Sequence, residues 1–171
     1  MKFNSNRLAT LFVVWAAYGI VIRSAEPDPY EPLRLYDGTW QVRMGGTDKK
    51  PDILVDHCVR TGKFYSCEQE FNGKTRALVV FLPAGTTSTG AMEYSTLVAR
   101  ADLTKPDDWE HLAIEGDTWT FTWMEKEGEK IVSMRNVNRF SGRDHIHFEV
   151  QKLEEGGNWK AQLAGDEDRV K

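Results

Sequence analysis

The sequence predicts an all-β protein, an antiparallel up-and-down β-barrel of about ten strands. Three observations point there. Short segments alternating apolar and polar side chains recur along the chain, separated by tight turns rich in Gly and Asn. The registers imposed by neighbouring turns agree on which face is apolar. No amphipathic stretch is long enough for a helix that would cover an open sheet, so closure is the way to remove exposed edges. A flattened sandwich is the other arrangement these signals allow. The chain has 171 residues, enough for one domain with a single core. That domain is expected over residues 37–171, after an export signal at 1–25 and a linker at 26–36.

The export signal rests on Lys2 and Arg7, which precede a mainly apolar run from Leu8 to Ile22. Those 15 residues are short for a bilayer span, which needs about 20. Cleavage after Gly19, with Ala17 two residues before it, fits the small-residue rule better than cleavage after Ala25. A short uncleaved anchor is the alternative. The expected location is therefore periplasmic or extracellular, with no integral membrane domain in the mature chain. Net charge is -4 overall, and the first 25 residues hold three basic side chains and no acid, leaving -7 for the remainder. That balance argues against an electrostatic footprint for nucleic acid or an anionic membrane surface.

Residues 26–36 are Pro-rich and charged, a linker or a segment lying over the barrel mouth. Asp37 to Met44 is the first clear strand, with Trp40, Val42 and Met44 on one face. A polar loop from Gly45 to Pro51 leads to an alternating segment, Ile53 to Arg60, whose partner is Phe64 to Phe71. The turn between them is Gly62-Lys63, with Gly first as a type II′ turn prefers. Counting outward, Cys58 falls directly opposite Cys67 at a non-hydrogen-bonded site, where Cα atoms come within disulfide reach. An exported chain with only these two cysteines is expected to bond them. The same count sets His57 opposite Glu68.

Asn72-Gly73 is the strongest hairpin signal in the chain. It opens Ala77 to Leu82, apolar on both faces and ended by Pro83. Ala84 to Gly90 reads as a loop, without the Gly-Lys-Ser/Thr ending that a phosphate cradle needs. Met92 to Arg100 is the next strand, and Asp102 to Asp108 a charged connector. The meander then becomes clear. Gly116-Asp117 sets Ile114 opposite Trp119 and Leu112 opposite Phe121. A turn at Glu127-Gly128 would set Trp123 opposite Val132 and Phe121 opposite Met134. The segments His145 to Leu153 and Asn158 to Ala164 follow, with Phe148 and Val150 on the face of Ala161 and Leu163, and a last short strand ends at Arg169-Val170.

With Asp37-Gly38-Thr39-Trp40 at the opening and Arg169 near the end, the chain resembles the lipocalin-like or calycin group of barrels. In that group a Gly-x-Trp begins the first strand, and a basic residue from the final strand covers the Trp. Closer still is the likeness to uncharacterised exported bacterial proteins with a ten-stranded lipocalin-like barrel. It is carried by Gly38-Thr39-Trp40, Gly116-Asp117-Thr118-Trp119, Gly157-Asn158-Trp159 and Arg169, and covers roughly residues 37 to 170. The resemblance implies that Trp40 and Arg169 close the barrel and that the scaffold holds an apolar cavity. Related ten-stranded barrels that bind haem open Gly-x-Trp-x-Gly-x-Gly. Here Gln41-Val42-Arg43-Met44 departs from that pattern, and no cofactor is expected.

Several side chains are candidates for chemistry. His145, His147 and Glu149 share a strand face and could ligate zinc or copper. A symmetric turn at Gly142-Arg143 would bring that face inside, with His147 opposite Asn138. A one-residue bulge at Gly142 would place Phe148 opposite Asn138 and turn the histidines outward. The bulged register is favoured, because it buries Ile146, Phe148 and Val150, worth about a few kcal/mol together; no metal is then expected. His57/Glu68 and His147/Glu149 are the candidate acid–base pairs for an isomerase- or lyase-type barrel enzyme, though each reads more simply as a surface pair. Trp119, Phe121, Trp123 and Met134 are the expected lining of a ligand pocket, with Arg135 and Arg139 available to an acidic head group. No Gly-x-Ser-x-Gly elbow or dinucleotide fingerprint is present. The expected function is binding of a small, largely apolar molecule, or service as an accessory envelope protein. A barrel enzyme and a cavity-free protein-interaction module are the alternatives.

Overall fold

The computed structural model describes residues 28–44, 50–104 and 109–171. The expected export signal lies outside these residues, as do most of the 45–51 loop and residues 105–108 of the connector. The strands are β1 (Gly38–Met44), β2 (Asp52–Thr61), β3 (Phe64–Phe71), β4 (Lys74–Thr86) and β5 (Met92–Arg100), followed by β6 (Glu110–Glu115), β7 (Thr118–Glu127), β8 (Lys130–Ser141), β9 (His145–Leu153) and β10 (Trp159–Arg169). Each pairs antiparallel with the next, and β1 pairs with β10, so the sheet is a closed ten-stranded up-and-down barrel.

Closure occurs at the opening strand. Trp40 pairs directly with Arg169. The guanidinium carbon of Arg169 stands 4.2 Å from the Trp40 ring centroid, and its N–H groups donate to the carbonyls of Leu35, Asp37 and Arg143. Trp40 is fully buried and its indole N–H donates to the Tyr36 carbonyl at 3.0 Å. Gly38 is required there. Its φ is +132°, and a Cβ would stand 2.6 Å from an Arg169 guanidinium nitrogen.

Residues 28–36 are part of the core, not a free linker. A 3-10 turn, Pro32–Leu35, carries Leu33 inward until it is fully buried. Tyr30 stacks on Tyr65 with centroids 5.5 Å apart. The Tyr94 hydroxyl donates to the Pro29 carbonyl. Tyr36 meets Trp119 edge-on at 4.9 Å. The segment plugs the end of the barrel where Trp40 and Arg169 lie, and most of the large buried side chains gather there.

The hairpins follow their turn residues. Asn72 and Gly73 both have positive φ, 53° and 73°, as a type I′ turn demands. Cys58 faces Cys67 across β2–β3, and the two are disulfide-bonded. Gly116 opens its turn at φ 56°, and Ile114 opposes Trp119 while Leu112 opposes Phe121.

Three expectations are corrected. The β7–β8 turn falls at Gly128-Glu129, with Gly128 at φ 61°, so Trp123 opposes Met134 and Phe121 opposes Asn136. Glycine takes the first loop position here, as at Gly62 and Gly116. The resulting slip of two residues keeps every side chain on its face, because strand periodicity is two. Pro83 does not end β4, which runs on to Thr86 with an irregularity between Pro83 and Gly85. The pairing of β3 with β4 stops at Phe81, so Pro83 lies where β4 has a partner on one side only and its missing N–H is tolerated. Finally, Trp159–Arg169 is a single strand, and its bulge between Ala161 and Leu163 puts Ala161 opposite Gln151, on the outer face.

Candidate functional site

Away from the plug, the described residues leave space inside the barrel. A cavity of about 840 Å3 runs from a floor near the plug, at Tyr36, Asp56 and Asn138, to a mouth at Arg100, Trp109, Glu110 and Lys126. Inward-facing apolar side chains form its walls. Phe121 and Trp123 come from β7, Phe81 and Val79 from β4, Leu54 from β2 and Val150 from β9. Strand alternation accounts for this composition, since every second residue of each strand projects into the lumen.

The floor is polar and acidic. Asp56 is 1 % exposed, and neither of its carboxylate oxygens has a hydrogen-bond partner. Burial raises its pKa to about 6; Gln69, facing it on β3, opposes the shift without closing a bond, while the Asp37 charge adds to it. Glu167 from β10 also reaches the cavity with an unpartnered oxygen. Burial, and then the negative charge of Asp56, raise its pKa to about 7. Asn136 and Asn138 of β8 line the same cavity, each with an unpartnered side-chain oxygen. The Asn138 amide donates to the Tyr36 hydroxyl, whose pKa burial holds well above that of a free tyrosine.

Of the side chains expected to bind a ligand, Phe121 and Trp123 line this cavity. Trp119 and Met134 face inward but are buried outside the lining, Trp119 in the core against Tyr36 and Phe140. Arg135 and Arg139 lie on the outer face, because they alternate with inward Met134, Asn136 and Asn138. Arg135 donates to Gln151 at 2.6 Å and stacks over Trp159 at 4.2 Å, and Arg139 pairs with Glu149 at 3.4 Å. Neither arginine meets the cavity.

The β8–β9 turn takes the bulged form. Gly142 has φ 69°, and Phe148 opposes Asn138. His145 and His147 therefore face outward, where His145 bonds Asp168 at 2.8 Å and His147 bonds Asp166 at 2.9 Å. The His145 hydrogen bond, with help from Arg43, lowers the Asp168 pKa. Among the described residues no group of three or more His, Cys, Asp or Glu side chains is arranged to hold a metal. His57 and Glu68 are cross-strand neighbours on the outside, both exposed, beside a shallow groove of about 300 Å3. Neither acid–base pair reaches the lumen.

Sequence reasoning missed the acidic floor, although the signal was present. Asp56 shares strand phase with Leu54 and Cys58, so a disulfide pointing inward carries Asp56 inward too. Glu167 lies two residues before Arg169, which is placed over the inward Trp40. Two polar residues at inward phase were thus readable.

No family model matches the chain, and no curated protein matches it. Among solved structures the chain is similar to the crystal structure of Rv2717c from M. tuberculosis, with a TM-score of 0.48 and 14 % identity over 85 % of this chain and 99 % of that one.

Proposed function

We propose that the protein is an exported, lipocalin-like barrel that binds a small, largely apolar molecule in its lumen. The observation that carries this reading is the cavity of about 840 Å3, walled by Phe81, Phe121 and Trp123. Its size falls in the range of about 300–1,000 Å3 usual for small-molecule sites. The Cys58–Cys67 disulfide fits an oxidising compartment, and no helix among the described residues is long and apolar enough to cross a membrane. An accessory role in the cell envelope is compatible with the same cavity. Catalysis has less support, since both His–Glu pairs lie on the outer surface, away from this cavity.

Native mass spectrometry of protein purified from its own host tests the reading. A bound small molecule, released on denaturation and displaced by the neutral dye N-phenyl-1-naphthylamine, is the expected result. Absence of any adduct, together with no dye binding to the purified protein, would overturn it.

A further inference from the structure

We propose that the cavity selects a ligand with a protonated primary or secondary amine, seated head-down between Asp56 and Glu167 with its apolar body against Phe121 and Trp123. This rests on the ligand-binding reading above. The argument starts from an imbalance at the floor. Asp56 is 1 % exposed and Asn138 4 % exposed, and both line the cavity. Both oxygens of Asp56, Oδ1 of Asn136, Oδ1 of Asn138 and Oε2 of Glu167 have no protein partner. Every one of these atoms is an acceptor. A buried acceptor without a donor is costly, and a charged donor repays it most.

Charge points the same way. The cationic side chains lining the cavity, Arg100 and Lys126, belong to the mouth, alongside Glu110 and Glu125. Among the described residues the floor carries carboxylates and no basic group. An anionic head group would meet two acids there. A quaternary ammonium would satisfy the charge but bring no N–H to the five acceptor oxygens. An N–H-bearing ammonium satisfies both. Two carboxylates with raised pKa values are what such a site looks like before its counter-ion arrives.

The test is isothermal titration of the purified, disulfide-bonded protein at pH 7.5 with four probes sharing one body: 4-phenylbutylamine, 4-phenylbutanol, 5-phenylpentanoate and trimethyl(4-phenylbutyl)ammonium. The amine is expected to bind at least about tenfold more tightly than any of the other three. In Asp56→Asn and Glu167→Gln the ratio of alcohol to amine dissociation constants should fall towards one. Both replacements are nearly isosteric and remove a buried charge; if one fails to fold, the other variant and the wild-type series still decide. Equal or tighter binding of the alcohol or the carboxylate overturns the amine proposal while leaving a ligand-binding barrel. Tighter binding of the quaternary probe overturns the requirement for N–H donors. Failure of all four probes and of N-phenyl-1-naphthylamine overturns the binding reading itself.

Discussion

Replacing Glu167 by Gln should stabilise the protein, and only at neutral to alkaline pH. Its carboxyl titrates at about 7 in the folded barrel against an ordinary value of 4.5. The folded state therefore holds a proton that the unfolded chain has already released between those two values. Stability falls as pH rises through that window, and the penalty is complete above about pH 7. A difference of that size corresponds to about 3 kcal/mol, an upper figure because the residue keeps partial contact with solvent. Glu167→Gln should recover most of it at pH 8 and nothing at pH 4. Urea unfolding of the oxidised protein at pH 4, 6 and 8 measures the difference. A gain that does not change with pH, or a loss at pH 8, would refute the assignment of a buried carboxylate lacking a counter-charge.

Further outcomes follow from the geometry. Trp40→Ala should cost about 3–5 kcal/mol in thermal or urea unfolding, and Gly38→Ala about 1–3 kcal/mol, since the new methyl group meets Arg169 at a backbone angle that only glycine adopts freely. Replacing Cys58 and Cys67 together by Ser should lower stability by about 2–3 kcal/mol, the chain-entropy value for a short closed loop, and protein recovered from an oxidising compartment should show no titratable thiol. Trp123→Ala should weaken binding of N-phenyl-1-naphthylamine several-fold, whereas Arg139→Ala should leave it unchanged in a fluorescence titration, because Arg139 points away from the lumen.

Much of the barrel was legible because its turns are specified locally. Asn72-Gly73, Gly62-Lys63 and Gly116-Asp117 each fix a register within a few residues, and the disulfide follows from one of them. What escaped depended on neighbours remote in sequence. Pro83 looks like a strand end until it is known that β3 has already stopped pairing beside it. The Pro-rich segment at 28–36 reads equally as a linker or as a cover over the barrel mouth until Tyr65, Tyr94 and Trp119 are seen to receive it. The candidate site divided in the same way. Phe121 and Trp123 are recognisable as inward aromatics, and the arginines of β8 could reach a ligand only if their polar face met the barrel mouth, which the register rules out. The acids of the floor are hard to read because a carboxylate on an alternating strand most often faces solvent.

The clamp between Arg169 and the opening strand has a consequence for how the chain reaches this state. The Arg169 bond to the Asp37 carbonyl joins groups 132 residues apart. Hairpins from β2 onward can form as soon as their two strands exist, but the ring cannot shut until β10 has been synthesised. Contacts of such separation are paid for in chain entropy before they return anything, which slows the last step. Until then β1 and β9 each have an unpaired side and the acidic lumen lies open to water. A chain whose final fastening waits for its last strand holds its lumen unsealed until synthesis is complete, and only then locks.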